Sequence, residues 1–240
     1  QKLKQQEKER KEKEGEAETE KKEGGHSAFM DFYAAGARHH MDKYGTTQRQ
    51  LAVVAAKAHN NSTMNPLAQY TFPQTVEQVL ADRIVAYPLT RAMCAPIGDG
   101  AAAAIICNES FLKKHPTARA IKIRASVLEG GTRQYPGDIS ERAAKKAYEV
   151  SGLGPEDIDM MEVHDATAFG EISQVEALGF CPVGEGGIFA ESGATALDGK
   201  IPVNPSGGLI SRGHPIGASG LAQIYELVTQ LRGEAGERQI

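Results

Sequence analysis

Apolar positions between residues 28 and 60 recur at helical spacing. Phe29, Phe32, Tyr33 and Met41 mark one face, a second run covers 51–58, and the pattern predicts two helices. Asn60, Asn61, Ser62, Asn65 and Pro66 break it. Val76, Val79 and Leu80 then form the inward side of a short helix over 75–81. Residues 101–107 are small or β-branched and unbroken by charge, which predicts a strand buried on both faces. Ile121, Ile123, Ala125 and Val127 alternate with polar residues, the period of a half-buried strand. A helix is expected over 140–151, with Ser140 as its N-cap and Gly152 past its end. Residues 160–163 form a further short strand that delivers His164 at its end, and 169–179 return to helix. Residues 201–203 lead as a strand into a glycine-rich turn. A helix from Pro215 to Leu231 follows, carrying Leu221, Ile224, Tyr225, Val228 and Leu231 on one face. Strands alternating with helices make this an α/β chain.

Residues 1–25 break from that pattern. Eight basic and eight acidic side chains alternate there, and Leu3 is the single large apolar residue. Such a segment buries too little surface to offset its ordering entropy, so it is expected to be a disordered charged tail. The whole chain of 240 residues is 40% hydrophobic and 24% charged, ordinary for a globular protein. A net charge of −4 gives no field that favours nucleic acid. No apolar run reaches the roughly 20 residues that cross a bilayer, and the hydrophilic start has no signal-peptide core. Cys94, Cys107 and Cys181 form neither a Cys-x-x-Cys pair nor a metal spacing; no metal is expected, and scattered cysteines in odd number suit a reducing cytoplasm.

Two stretches carry chemistry. Residues 204–220, NPSGGLISRGHPIGASG, hold five glycines, two prolines and His214. Pro215 suits the first turn of a helix, which would put His214 at the N-cap. A helix start there would lower the pKa of a nearby thiol and stabilise an oxyanion. Residues 163–169, VHDATAF, place His164 at a strand end followed by an acid. Taken singly, His214 is equally a histidine capping a helix, and His164 a hydrogen-bonded loop residue.

Together the two stretches resemble the thiolase superfamily, and within it the sterol-carrier-protein-type thiolases and the bacterial and archaeal acetyl-CoA acetyltransferase-like proteins. HDATAF at 164–169 matches the histidine variant of the Asn-Glu-Ala-Phe box, and GHP at 213–215 matches the Gly-His-Pro box. Agreement extends through IGDGAAAAII (97–106), SGLGPEDIDMMEVHD (151–165), EALGFCPVGEGG (176–187) and GLAQIYELVTQLRGEAG (220–236).

The resemblance implies a thiolase-like layered αβαβα sandwich, here incomplete. Residues 26–118 would be the remainder of the N-terminal half, and 119–240 the C-terminal half short of its last strands. It implies an acyl-CoA C-acyltransferase acting by thiolysis of a 3-oxoacyl-CoA or by Claisen condensation. Coenzyme A and its thioesters would be substrates rather than tightly bound cofactors, and the complete protein would be a homodimer or larger assembly. His214 would activate a nucleophilic cysteine and contact the thioester oxygen; His164 would make the second polar contact at that carbonyl. None of the three cysteines lies where the family places its nucleophile, so this chain by itself would be inactive. The alternatives are a retro-aldolase of CoA-linked side chains, which needs no such cysteine, and a non-catalytic CoA-ester-binding scaffold.

Overall fold

The structure, a computed structural model, describes residues 27–131 and 138–240. The charged tail expected at 1–25 lies outside the described residues. Helix α1 (Ala28–Tyr44) ends at Gly45, whose φ of 81° closes a left-handed cap. Helix α2 (Gln48–Ser62) opens with a capping box: the Thr47 hydroxyl accepts the Gln50 N–H, and the Gln50 side chain accepts the Thr47 N–H at 2.9 Å. Helix α3 (Val76–Ala81) repeats the device with Thr75 and Gln78. A two-strand antiparallel hairpin, β1 (Ile84–Ala86) and β2 (Leu89–Thr90), and a 3₁₀ turn at Arg91–Met93 follow.

α2 is the centre of the main core. Leu51, Val54, Val79, Leu89, Met93, Ile172 and Ile210 meet there, all fully or almost fully buried. Each such side chain contributes about 1.5–3 kcal/mol by leaving water. In α1 the buried positions are Ala34, Ala37 and His40, whereas Phe29 and Phe32 at its start are exposed.

Farther along the chain come α4 (Glu109–Lys114), α5 (Ile139–Ser151), α6 (Ala168–Ala177), α7 (Gly186–Glu191) and α8 (Ser219–Leu231). α5 is capped by Asp138, which accepts the Ser140 and Glu141 amides, so the cap lies two residues before the serine expected to make it. Gly152 ends it at φ 69° as expected.

Two expected strands are not formed. Residues 101–107 are unpaired and largely exposed, with Ile105 fully in solvent. A strand needs a neighbouring backbone to take its N–H and C=O groups, and no described segment runs beside this one. Residues 121–127 keep their alternation only in part: Ile121, Ala125 and Val127 are partly covered, Ile123 is exposed, and the segment is also unpaired. The strands expected at 160–163 and 201–203 are reduced to one parallel bridge, Met161 to Val203.

α8 starts later than expected, and its apolar stripe faces solvent. Its N-cap is Ala218, not His214; His214 lies in an extended segment bridged in parallel to Ile97. Its buried side is polar (Ser219, Glu226, Thr229, Gln230), while Leu221, Ile224, Tyr225 and Leu231 are exposed. Glu226 is matched by Arg238, whose guanidinium donates to both carboxylate oxygens at 2.9 and 3.1 Å. This ion pair, not an apolar stripe, seats the helix.

Candidate active site

Two segments run side by side toward the site. The Met161 N–H donates to the Pro202 carbonyl at 2.9 Å, and the Asn204 N–H to the Met161 carbonyl at 2.8 Å. The Asn204 side chain then accepts the Val163 N–H at 2.8 Å. Its own backbone is left-handed at φ 55°, a conformation asparagine tolerates because its short amide bonds locally.

Beyond this point side chains replace the ladder. Glu162 accepts the Ser206 N–H at 3.0 Å and the Ser206 hydroxyl at 2.8 Å. Asp165 accepts the Leu209 N–H at 2.7 Å. That bond reaches into a single π-turn, Gly208–Arg212. Gly208 (φ 59°) has no room for a Cβ, which would collide with the Asp165 carboxylate.

A third segment locks both boxes. The Ala95 N–H donates to the Ala166 carbonyl at 2.9 Å, Cys94 bridges Thr167, and Ile97 bridges His214. As a result His164 and His214 meet. Their rings stand edge to face at 84°, centroids 5.0 Å apart. His214 is partly buried and hydrogen-bonded through Nδ1 to the Ser219 hydroxyl at 2.8 Å. His164 is exposed at the surface of the site. Burial on one side holds the pKa of His164 below the ordinary histidine value. For His214 the causes are burial first, then the neighbouring charges of His164 and Arg212. Both shifts favour the neutral imidazole, the form able to accept a proton.

Behind the pair lies a buried set of charged groups. Lys57 pairs with Glu171 and donates to the Val203 carbonyl at 2.9 Å. Burial raises the Glu171 carboxyl against the pull of Lys57. Burial also pushes Glu162 up to about 7, opposed by Arg212 and the Ser206 bonds. Asp165 is raised well above the usual carboxylate range by burial, with Glu171 and Glu162 adding to it. Its Oδ2 has no hydrogen-bond partner among the described residues. A neutral carboxylic acid is the form such surroundings favour.

None of the three cysteines is hydrogen-bonded to either histidine among the described residues. The Cys94 thiol donates to the Thr90 carbonyl at 3.4 Å, and burial pushes its pKa up to about 12. Burial and nearby carboxylates push Cys181 to about 12 as well, and Cys107 is exposed on the unpaired 101–107 segment. Thiols at such pKa values hold almost no thiolate at neutral pH. Among the described residues no cluster of three or more His, Cys, Asp or Glu side chains could hold a metal ion. A cavity of about 710 Å³ adjoins the site; its wall includes Gly213, Pro215, Arg212 and Gln69 but neither imidazole. Sequence reasoning named the two histidines and the acid after His164, Asp165, and missed Glu162, Gln174 and Ser219 around them. Glu162 and His164 are two apart on an extended segment, a spacing that puts both on one face.

Residues 138–240 match the family described as "Thiolase C-terminal domain-like". The acetyl-CoA acetyltransferase of Methanothermobacter thermautotrophicus is 47% identical over 219 residues, covering 88% of this chain and 57% of that protein. The chain belongs to the thiolase superfamily. Sterol carrier protein 2 of Bos taurus is 43% identical over 219 residues, covering 87% of this chain and 40% of that protein. Among solved structures, an Ltp2-ChsH2(DUF35) aldolase superposes with a TM-score of 0.69 at 24% identity, covering 84% of this chain and 55% of that one. The fold is thus a thiolase-like α/β fold, incomplete here, and the chain spans about half the length of the curated relatives it matches. In this chain the two histidine boxes adjoin, with the His164 and His214 rings in contact.

Proposed function

We propose that the protein carrying this chain is an acyl-CoA C-acyltransferase, catalysing thiolysis of a 3-oxoacyl-CoA or Claisen condensation of two acyl-CoAs. The observation that carries this reading is the 5.0 Å edge-to-face pair of His164 and His214, two imidazoles able to serve one thioester carbonyl. Relatives called acetyl-CoA acetyltransferase and sterol carrier protein 2 support it. In this reading His214 takes the proton from a nucleophilic thiol and then, as a donor, contacts the oxygen on which charge develops. His164 provides the second contact. Preorganised donors of this kind each lower the barrier by about 3 kcal/mol. The nucleophile is none of Cys94, Cys107 and Cys181, and the 240-residue chain alone is inactive. Coenzyme A thioesters are substrates, with no tightly bound cofactor. The complete protein is a cytoplasmic homodimer or larger assembly, and the boundary between its two halves falls near residue 119.

Acetoacetyl-CoA thiolysis by the full-length protein is the test. Turnover that disappears in His214→Ala supports the reading; full-length protein that turns over no acyl-CoA with or without added coenzyme A overturns it. A second reading, retro-aldol cleavage of a CoA-linked side chain, is favoured by the raised pKa of the Cys94 and Cys181 thiols, which leaves them poor nucleophiles, and by the fold shared with an aldolase. Release of a ketone or aldehyde without consumption of coenzyme A would select it.

A further inference from the structure

The two imidazoles are held by different means. His214 is fixed through its ring, by the Nδ1 bond to Ser219. The His164 ring makes no hydrogen bond to any described residue, so its direction depends on its backbone. That backbone is gripped at both ends of one residue by a single side chain. The His164 N–H donates to Gln174 Oε1 at 3.2 Å, and Gln174 Nε2 donates back to the His164 carbonyl at 2.7 Å. Nε2 also donates to the Gly170 carbonyl at 3.0 Å, which fixes the orientation of the amide.

The local chain explains how the grip forms. Thr167 caps α6, its hydroxyl accepting the Gly170 N–H, so the helix start does not need Gln174. The box loop passes close over that start: a Cβ on Gly170 would lie 3.2 Å from the His164 carbonyl oxygen. One turn further on, the side chain at position 174 stands above the same face as Gly170. A residue there with one acceptor and two donors can satisfy both peptide groups of His164 at once. Glutamine meets that requirement and hydrocarbon side chains do not.

We propose that Gln174 is a positioning residue for His164: its amide clamps the His164 peptide and thereby aims an otherwise untethered imidazole at His214 and the substrate carbonyl. The proposal rests on the reading of His164 as an oxyanion contact. Because Gln174 acts only through His164, its loss cannot cost more than loss of the imidazole itself.

The test uses Gln174→Met, which keeps side-chain length and removes both bonds, and Gln174→Glu, which keeps only the acceptor. In the full-length enzyme Gln174→Met is expected to lower kcat roughly 10- to 100-fold, the scale of a misplaced catalytic group, with KM nearly unchanged. Gln174→Glu is expected to fall between it and wild type. In a His164→Ala background Gln174→Met is expected to change nothing further. An unchanged kcat, or a loss that multiplies with that of His164→Ala, overturns the proposal. A second measurement needs no activity. In NMR spectra of the full-length protein, the ring-to-ring cross-relaxation between His164 and His214 is expected to weaken in Gln174→Met. An undiminished signal overturns the clamp even if the enzyme proves to be an acyltransferase. A weakened signal in an inactive enzyme keeps the clamp and removes the function.

Discussion

Asp165 accepts the Leu209 N–H at 2.7 Å, and this bond joins the loop behind His164 to the turn that leads to His214. The acid sits fully buried beside two other carboxylates, and its pKa is raised accordingly. The sign of the linkage follows: a folded-state pKa above the unfolded one means that folding holds a proton the unfolded chain releases. Stability is therefore greatest below the unfolded value near 3.8 and is lost as pH rises toward the folded one. Asp165→Asn keeps the acceptor for Leu209 and removes this titration. It is expected to melt higher than wild type, by more at pH 8 than at pH 5, in thermal scans monitored by circular dichroism.

The histidines are expected to differ in weight. His214→Ala is expected to abolish detectable acetoacetyl-CoA thiolysis in the full-length enzyme, whereas His164→Ala is expected to cost roughly 10²–10³ in kcat, the scale of one oxyanion donor. Both variants are expected to retain the wild-type circular dichroism spectrum, since neither side chain belongs to either buried apolar cluster.

Acidification is expected to spare the site longer than an ordinary histidine would allow. His214 is held below its usual pKa of 6.5 by burial, His164 and Arg212. The acid limb of kcat/KM is therefore expected to have its midpoint below 6.5. Replacing His164 by alanine removes one of those causes and is expected to move the His214 titration upward in NMR, toward 6.5. A downward movement would mean that the two rings do not sense each other's charge.

Lys57 is nearly buried, and its partner Glu171 is almost completely so. Lys57→Met leaves that carboxylate without a cation and also strips a donor from the Val203 carbonyl. A destabilisation of about 3–5 kcal/mol is expected from urea unfolding, the usual result of breaking one half of a buried pair. Lys57→Met combined with Glu171→Gln is expected to recover part of it.

Much of the helical framework was readable from spacing and caps. α2 and α3 follow the 3.6 period with Thr47 and Thr75 at their starts, and Gly152 closes α5, because these signals are local. The 101–107 strand was misread because its composition speaks of burial, while pairing depends on a neighbour that composition cannot supply. For α8 the apolar stripe was correctly identified, but its exposure was not legible: the side that turns inward carries Glu226, which pairs with Arg238 beyond the helix end. His164 and His214 were picked out by family resemblance. Gln174 and Ser219 left no trace, since one side chain bonding a remote peptide or ring creates no periodicity.

The outward face of α8 also governs how this polypeptide behaves in a test tube. Leu221, Ile224, Tyr225 and Leu231 form an oily ribbon along one side of a helix whose charges are spent inside. Water wets such a ribbon reluctantly, and its neighbours in solution offer a better surface. Colloidal behaviour then comes to depend on dose: dilute samples stay clear, concentrated ones scatter light, and an environment-sensitive dye such as ANS fluoresces on the natively folded molecule. Salting-out agents such as sulfate sharpen all three tendencies, because they are excluded from the same exposed hydrocarbon.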